Sequence, residues 1–128
     1  MRAMDSKAQV RPVHWMGSSK EDVRGFPDPV QDDVGYALWV VQQGHVPNSA
    51  RPLKGFHGAV LEIVDDHDTD TYRAVYTVRF REAVYVLHCF QKKSASGART
   101  SKQDVDLIRR RLQAAERHHR ELYGSRGV

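Results

Sequence analysis

Apolar side chains recur along the chain with two periods, and these periods separate helices from strands. Val30, Val34, Ala37, Leu38 and Val41 fall on one face at helical spacing after Asp28-Pro29. An acidic N-cap followed by proline at the first helical position suits a helix start. Gly44 is its C-cap candidate. Asp32 and Asp33 lie in the first turn, where the helix dipole favours them, and Tyr36 and Trp39 flank the stripe as packing residues. A second stripe, Val105, Ile108, Leu112, Ala115 and Leu122, runs to Gly124. Its capping pair is Thr100 with Gln103 or Ser101 with Asp104. A shorter helix, SKEDVRGF, follows the break at Gly17-Ser18-Ser19. Ser18 or Ser19 caps it, with Glu21 or Asp22 completing the box, and it ends at Gly25.

Period two governs the middle of the chain. Strands are expected over Ala59–Val64, Thr71–Phe80 and Ala83–Phe90, with Arg11–Met16 as an opening strand weakened by Pro12. In the second of these, Arg73, Val75, Thr77 and Arg79 share a face opposite Tyr72, Ala74, Tyr76 and Val78. In the third, Val84, Val86, His88 and Phe90 share a face, with Lys92 in phase and Leu87 and Cys89 turned away. Arg81-Glu82 joins the two as an antiparallel hairpin. His45–Arg51 is turn-like. The order β–α–α–β–β–β–α predicts an α+β fold, one sheet packed by helices.

Length and composition narrow this further. A chain of 128 residues is expected to form one domain, residues 1–128, with the ends at 1–10 and 125–128 expected to fray. The lone Cys89 excludes an internal disulfide and fits a reducing compartment. No secretory signal is expected, because the N-terminal stretch shows no apolar segment, and no apolar run is long enough to span a membrane. A cytoplasmic protein is expected. Residues 1–91 carry ten Lys or Arg against twelve Asp or Glu, whereas residues 92–128 carry ten against four. Such asymmetry points to nucleic acid or an acidic partner, or simply to a solvated basic helix face.

Candidate chemistry lies in the strands. CxxC, HExxH and Walker or Rossmann glycine patterns are absent. The acidic turn from Asp65 to Asp70 lacks the glycine and glutamate of a calcium loop and is a solvated hairpin turn. His118-His119 lacks the i, i+4 spacing of a helical metal pair and is a surface pair. No metal or cofactor is expected. Lys54, Arg73, Arg79, His88, Lys92 and Lys93 remain, with Tyr76 and Tyr85 nearby. Cations can stabilise the charge that develops on a pentavalent phosphate. Histidine or a depressed lysine can move the proton. RNA brings its own nucleophile in the 2′-hydroxyl, so no metal is needed. Against this, the arginines could be exposed cross-strand partners of Glu62 or Glu82, and His88 a hydrogen-bonded core histidine.

The segments RPLKGFHGAVLEI, DTYRAVYTVRF, AVYVLHCFQKKSASG and TSKQDVDLIRRRL resemble the phage-derived, HigB-like branch of the RelE/ParE toxin superfamily. The earlier HWMGSSKEDVRGFP and DDVGYALWVVQQGH resemble it too, so the likeness covers roughly residues 11–123. It implies a microbial-RNase-type domain with a curved antiparallel sheet and helices on one side. It implies a type II toxin that cleaves mRNA on the ribosome through the 2′-hydroxyl, leaving a cyclic phosphate. The implied partner is a helix-turn-helix antitoxin from the same operon; because a free toxin must be neutralised, the basic face is expected to be covered, with the last helix or loop 94–99 in the interface. By motif, Arg73 contacts the scissile phosphate, and Lys92 or Lys93 stabilises charge or moves a proton. Lys54 is a second phosphate contact or base, and His88 an acid or base candidate. Arg79, Arg51, Arg99 and Lys102 are expected as further RNA contacts. This branch lacks the terminal-strand Tyr and the Asp-Tyr-His run of some relatives. The same superfamily includes gyrase-poisoning ParE toxins, and an inactive domain that only binds an antitoxin is the third expectation.

Overall fold

A computed structural model describes residues 10–92 and 100–124 of the chain. The elements run β1 (Val13–Trp15), α1 (Ser19–Arg24), α2 (Asp28–Gln42), β2 (Ala50–Pro52), β3 (Val60–His67), β4 (Asp70–Thr77), β5 (Val84–Lys92) and α3 (Lys102–Tyr123). The five strands form one sheet in the order β1-β5-β4-β3-β2. All neighbours are antiparallel except β1, which lies parallel to β5. The α+β expectation holds. Strand β2 is an addition, formed at the end of the segment expected to be only a turn. Its three residues and Pro52 suit an edge, where a missing N–H does no harm.

Helices cover both faces of this sheet, not one. Val30, Val34, Leu38 and Val41 of α2 and Val23 of α1 pack with Ile63, Tyr72, Ala74, Tyr76, Val84 and Val86. Ile108 and Ala115 of α3 pack with Val60, Val75, Tyr85 and Leu87 on the other side. The alternation within β4 makes this possible, because neighbouring residues point to opposite faces. Each face is apolar enough to require its own cover. Val105 and Leu112 join the second core, but Leu122 stays 56% exposed and Tyr123 packs in its stead.

One irregularity decides which side chains meet. The β4–β5 register steps from Val75↔His88 to Tyr76↔Val86, leaving Leu87 as an extra residue. Such a bulge reverses the phase of everything beyond it. Val84 and Val86 therefore face α1 and α2, whereas Leu87, His88 and Phe90 face α3. Uninterrupted alternation would have left His88 with Val84 and Val86.

The helix ends follow local chemistry with small shifts. α2 begins one residue early, with Pro27 at the N-cap and Asp28 in the first turn. It closes at Gln43, and Gly44 takes φ +94°, the left-handed conformation glycine adopts freely. Ser101 caps α3 by accepting from the Asp104 N–H at 3.1 Å. Ser18 precedes α1 without a side-chain bond to the helix backbone and donates to the Asp22 carboxylate at 2.8 Å instead. Gly17, at φ +56°, sits so close to Arg111 that a Cβ there would come within 2.5 Å of its Nε. Arg111 donates to the Leu87 carbonyl at 3.0 Å, so this arginine fastens α3 to β5 and is not part of a solvated face.

The acidic turn is tighter than expected. β3 continues to His67 and pairs it with Asp70, leaving Asp68 and Thr69 as the loop. Asp68 has φ +56°, which a short acidic side chain tolerates. Tyr36 and Trp39 depart furthest from expectation. They are 67% and 53% exposed, on the outer side of α2, and are not packing residues.

Candidate phosphate-binding face

Sheet register collects the cations. Arg51 of β2 pairs with Glu62 of β3, Glu62 with Val75 of β4, and Val75 with His88 of β5. Paired residues share a face, so this row looks toward α3. The next row on that face is Arg73 with Phe90, and the one after is Thr71 with Lys92. The α3 face thus carries Arg51, Glu62, Arg73, His88 and Lys92 within three successive rows.

Glu62 is the hub, whereas the sequence pattern alone suggests only a surface partner. Its carboxylate accepts from Arg73 Nη1 at 2.9 Å and from Arg51 Nε at 3.2 Å. Arg73 and Glu62 are buried, with side chains 2% and 5% exposed, whereas Arg51 is 56% exposed. A buried pair of this kind offsets the desolvation of two charges by mutual attraction and hydrogen bonding. The cross-strand alternative for Arg73 is therefore right about the partner and wrong about exposure. Arg73 is a wall of the site and not a projecting side chain.

A cleft of about 660 Å³ opens beside this pair, lined by Arg51, Lys54, Gly55, Glu62, Arg73, Thr100 and Val105 among others. Three cations against one carboxylate leave it positive. The N-terminus of α3 borders it through Thr100 and Val105, and a helix N-terminus favours anions. Thr100 Oγ1 is buried with no hydrogen-bond partner among the described residues. Arg109 was missed by sequence reasoning. It reaches the rim of this cleft, donating to the Gly55 carbonyl at 3.4 Å and lying 4.6 Å from the Phe56 ring centre. No local signal separates it from the other helix arginines.

His88 lies next to this site on the same sheet face. It is 8% exposed, stacks on Phe90 at 4.6 Å between ring centres, and bonds through Nε2 to Asp104 at 2.8 Å. Asp104 is in turn bonded by the Ser101 hydroxyl at 2.7 Å. The core-histidine alternative is thus realised, with an acid from α3 as its partner. An aspartate on one imidazole nitrogen sets the tautomer and orients the ring.

The remaining sequence candidates scatter. Arg79 is exposed beyond the end of β4, 5.9 Å from the Phe80 ring centre and at the opposite end of the hairpin from Lys92. Lys102 is exposed and pairs with Asp106 one turn on. Lys92 ends β5, half-buried. Lys93 and Arg99 lie outside the described residues. Tyr76 is buried on the far face, where burial pushes its hydroxyl up to about 12. Tyr85 shares the α3 face but bonds to His118 Nδ1 at 2.8 Å. Burial likewise pushes the Cys89 thiol up to about 12, so it is no nucleophile.

His118 and His119 are not a plain surface pair. With His14, Tyr85 and Tyr123 they build a ring cluster at the C-terminal end of α3, in which His14 Nε2 bonds to the Tyr123 hydroxyl at 2.9 Å. His119 Nε2 bonds to Glu82 at 2.6 Å. Burial, and then the neighbouring His118 and His119, lower the pKa of His14. This cluster anchors the helix and lines no part of the cationic cleft.

Comparison with known proteins adds the following. A family model described as "Phage derived protein Gp49-like (DUF891)" matches residues 21–113. No curated protein matches. Among solved structures, the chain is similar to one in a toxin–antitoxin complex, RelBE2, from Mycobacterium tuberculosis. The identity is 14%, the TM-score 0.46, and 64% of this chain and 98% of that one are covered. Among the described residues no helix is long and apolar enough to cross a membrane.

Proposed function

The chain belongs to the Gp49-like phage-derived protein family, and from that premise we propose that it is the toxin of a type II toxin–antitoxin system. Its activity is endonucleolytic cleavage of mRNA on the ribosome. Its partner is an antitoxin encoded beside it. The observation that carries this reading is the cleft on the α3 face, where Arg51, Lys54 and Arg73 converge at a helix N-terminus with Glu62 holding two of them in place.

The chemistry needs no metal. The 2′-oxygen attacks phosphorus and its proton passes to a base. The 5′-oxygen leaves with a proton, giving a 2′,3′-cyclic phosphate and a 5′-hydroxyl. Lys54 and Arg51, both exposed at their ends, meet the phosphate and stabilise the developing charge. Arg73 lines the same cleft and fixes Glu62. His88, oriented by Asp104, is the candidate for proton transfer, with Lys92 two rows along the same face and Lys93 as a further cation.

Induced in bacteria, the wild-type chain is expected to stop growth and translation. Mapping of transcript ends is expected to show new 5′-hydroxyl ends within coding sequence. Lys54→Ala is expected to lower cleavage by roughly 10²-fold, the usual cost of one electrostatic contact to the reacting group, while the protein stays folded. Arg73→Ala is a poor first test, because it would leave Glu62 buried without its nearest cation. DNA breaks with intact mRNA would replace this reading by a gyrase poison. A lack of both would favour the third reading, an inactive domain that only binds its antitoxin. The burial of Arg73 against Glu62 is the observation that supports that reading.

A further inference from the structure

The face of α2 turned away from the sheet core is unusual for a solvated helix. Tyr36 and Trp39 lie there one helical turn apart, their ring centres separated by 6.1 Å, and Val46 beyond the helix end is 65% exposed. Beside them a groove of about 460 Å³ runs between α2 and β3, its walls including Tyr36, Val40, Val46 and Val64. Exposed aromatic side chains flanking a concave apolar surface have the composition of a protein interface core.

The same groove is acidic. Asp33 and Asp65 both line it, and the Asp33 carboxyl lies within hydrogen-bonding reach of Asp65. Asp65 Oδ2 is buried with no hydrogen-bond partner among the described residues. Burial first, and then the facing Asp33, push the Asp65 carboxyl up to about 6. Two facing carboxyls with an unused buried oxygen are short of a donor, and a cation supplies both charge and donors. Asp32 and Asp66 stand exposed close by along the chain, so a polyanion would be repelled. RNA is thereby disfavoured on this face, which is also the opposite one from the cationic cleft.

We propose that this groove is a docking site for a partner protein segment that presents a Lys or Arg flanked by large apolar side chains. The basic group enters between Asp33 and Asp65, and the apolar groups cover Tyr36, Trp39 and Val46. Such a partner leaves the cleft of Arg51, Lys54 and Arg73 open, because the two sites lie on opposite sides of the sheet. The inference is independent of the toxin reading. It stands on the groove alone.

The test uses the full chain and a synthetic amphipathic helical peptide with a leucine stripe flanked by lysines. Controls are the same peptide with glutamate in place of lysine and a single-stranded RNA oligonucleotide. Trp39 is half-exposed and serves as the reporter, with Trp39→Phe identifying its share of the emission. The lysine peptide is expected to shift Trp39 emission to the blue, saturably, and to bind more weakly as salt rises. Tyr36→Ala is expected to weaken it roughly tenfold or more, as for an aromatic anchor. Asp33→Asn is expected to remove most of the salt dependence. Equal binding of the glutamate peptide, or no effect of Tyr36→Ala, would overturn the proposal. Binding of the RNA at Trp39 would overturn it too. Sedimentation showing a concentration-dependent dimer that Tyr36→Ala abolishes would assign the groove to a second copy of this chain, which also overturns it.

Discussion

The two faces of the sheet are both buried, yet they are built on opposite principles. The α1 and α2 face is almost wholly apolar: Val30, Val34, Leu38 and Val41 meet Ile63, Ala74 and Val86 with no charge among them. The α3 face is apolar only toward its middle, at Val75, Leu87 and Ile108. To one side stand Glu62 with two arginines, and His88 with Asp104. To the other stand His14, Tyr85 and His118. The first face is held by area removed from water, which is non-directional and tolerant. The second is held by paired polar groups, which are directional and costly to break. A face of the second kind sets cations next to a cleft, whereas the first carries charge only at its margin, at Asp33 and Asp65.

The sharpest way to break that contrast is Glu62→Ala. It leaves the buried Arg73 guanidinium without its carboxylate, and unfolding in urea is expected to show a loss of roughly 3–5 kcal/mol. Replacing both partners, Glu62→Met with Arg73→Leu, is expected to recover most of the loss. Failure to recover would mean that the pair is needed for the fold in a way an apolar filling cannot supply. On the other face, Leu38→Ala is expected to cost about 2–5 kcal/mol, as core truncations do. It leaves the α3 face untouched, so the proposed RNA cleavage, measured per folded molecule, should not change.

Ser101→Ala is expected to cost about 1 kcal/mol through loss of the α3 cap. It also frees Asp104, so the His88 ring resonances in NMR should move, whereas those of His118 should not. The smallest effect belongs to Asp65→Asn. Because Asp65 is raised from an ordinary 3.8 to about 6, the folded state holds its proton more tightly than the unfolded chain. Stability therefore falls as pH rises through that window, and the penalty is full above it. Asp33 and Asp66 add to the penalty and His67 opposes it. The asparagine variant should melt a little higher than wild type at pH 7.5, the gain shrinking toward pH 5. A constant gain at both pH values would mean that its origin is not this titration.

Much of the fold was legible because its signals are local. The stripe of α2, the three long strands, the hairpin turns and the Ser101 cap all follow from residues within a few positions of one another. Tyr36 and Trp39 misled because large aromatic residues beside a stripe usually pack, and only the docked position of α2 shows that these do not. The site was half legible. Arg73, Arg51 and Lys54 were named and do meet in one cleft. Arg79 was named and does not, because β4 ends at Thr77 and the chain turns away.

Local sequence pattern is enough for the α+β class, the order of elements and the concentration of cations in the strands and the last helix. Tertiary structure alone decided which of those cations are charges available to a ligand and which are neutralised. Glu62 and Arg73 are 11 positions apart, His88 and Asp104 16, and His14 and Tyr123 109. No local pattern encodes such partners, because each pairing depends on strand register, on the bulge at Leu87 and on where α3 comes to rest. Burial then sets the meaning of each charge: desolvation makes an ion pair in the core a structural wall, and the same residue types at a solvated rim keep their charge open to solvent.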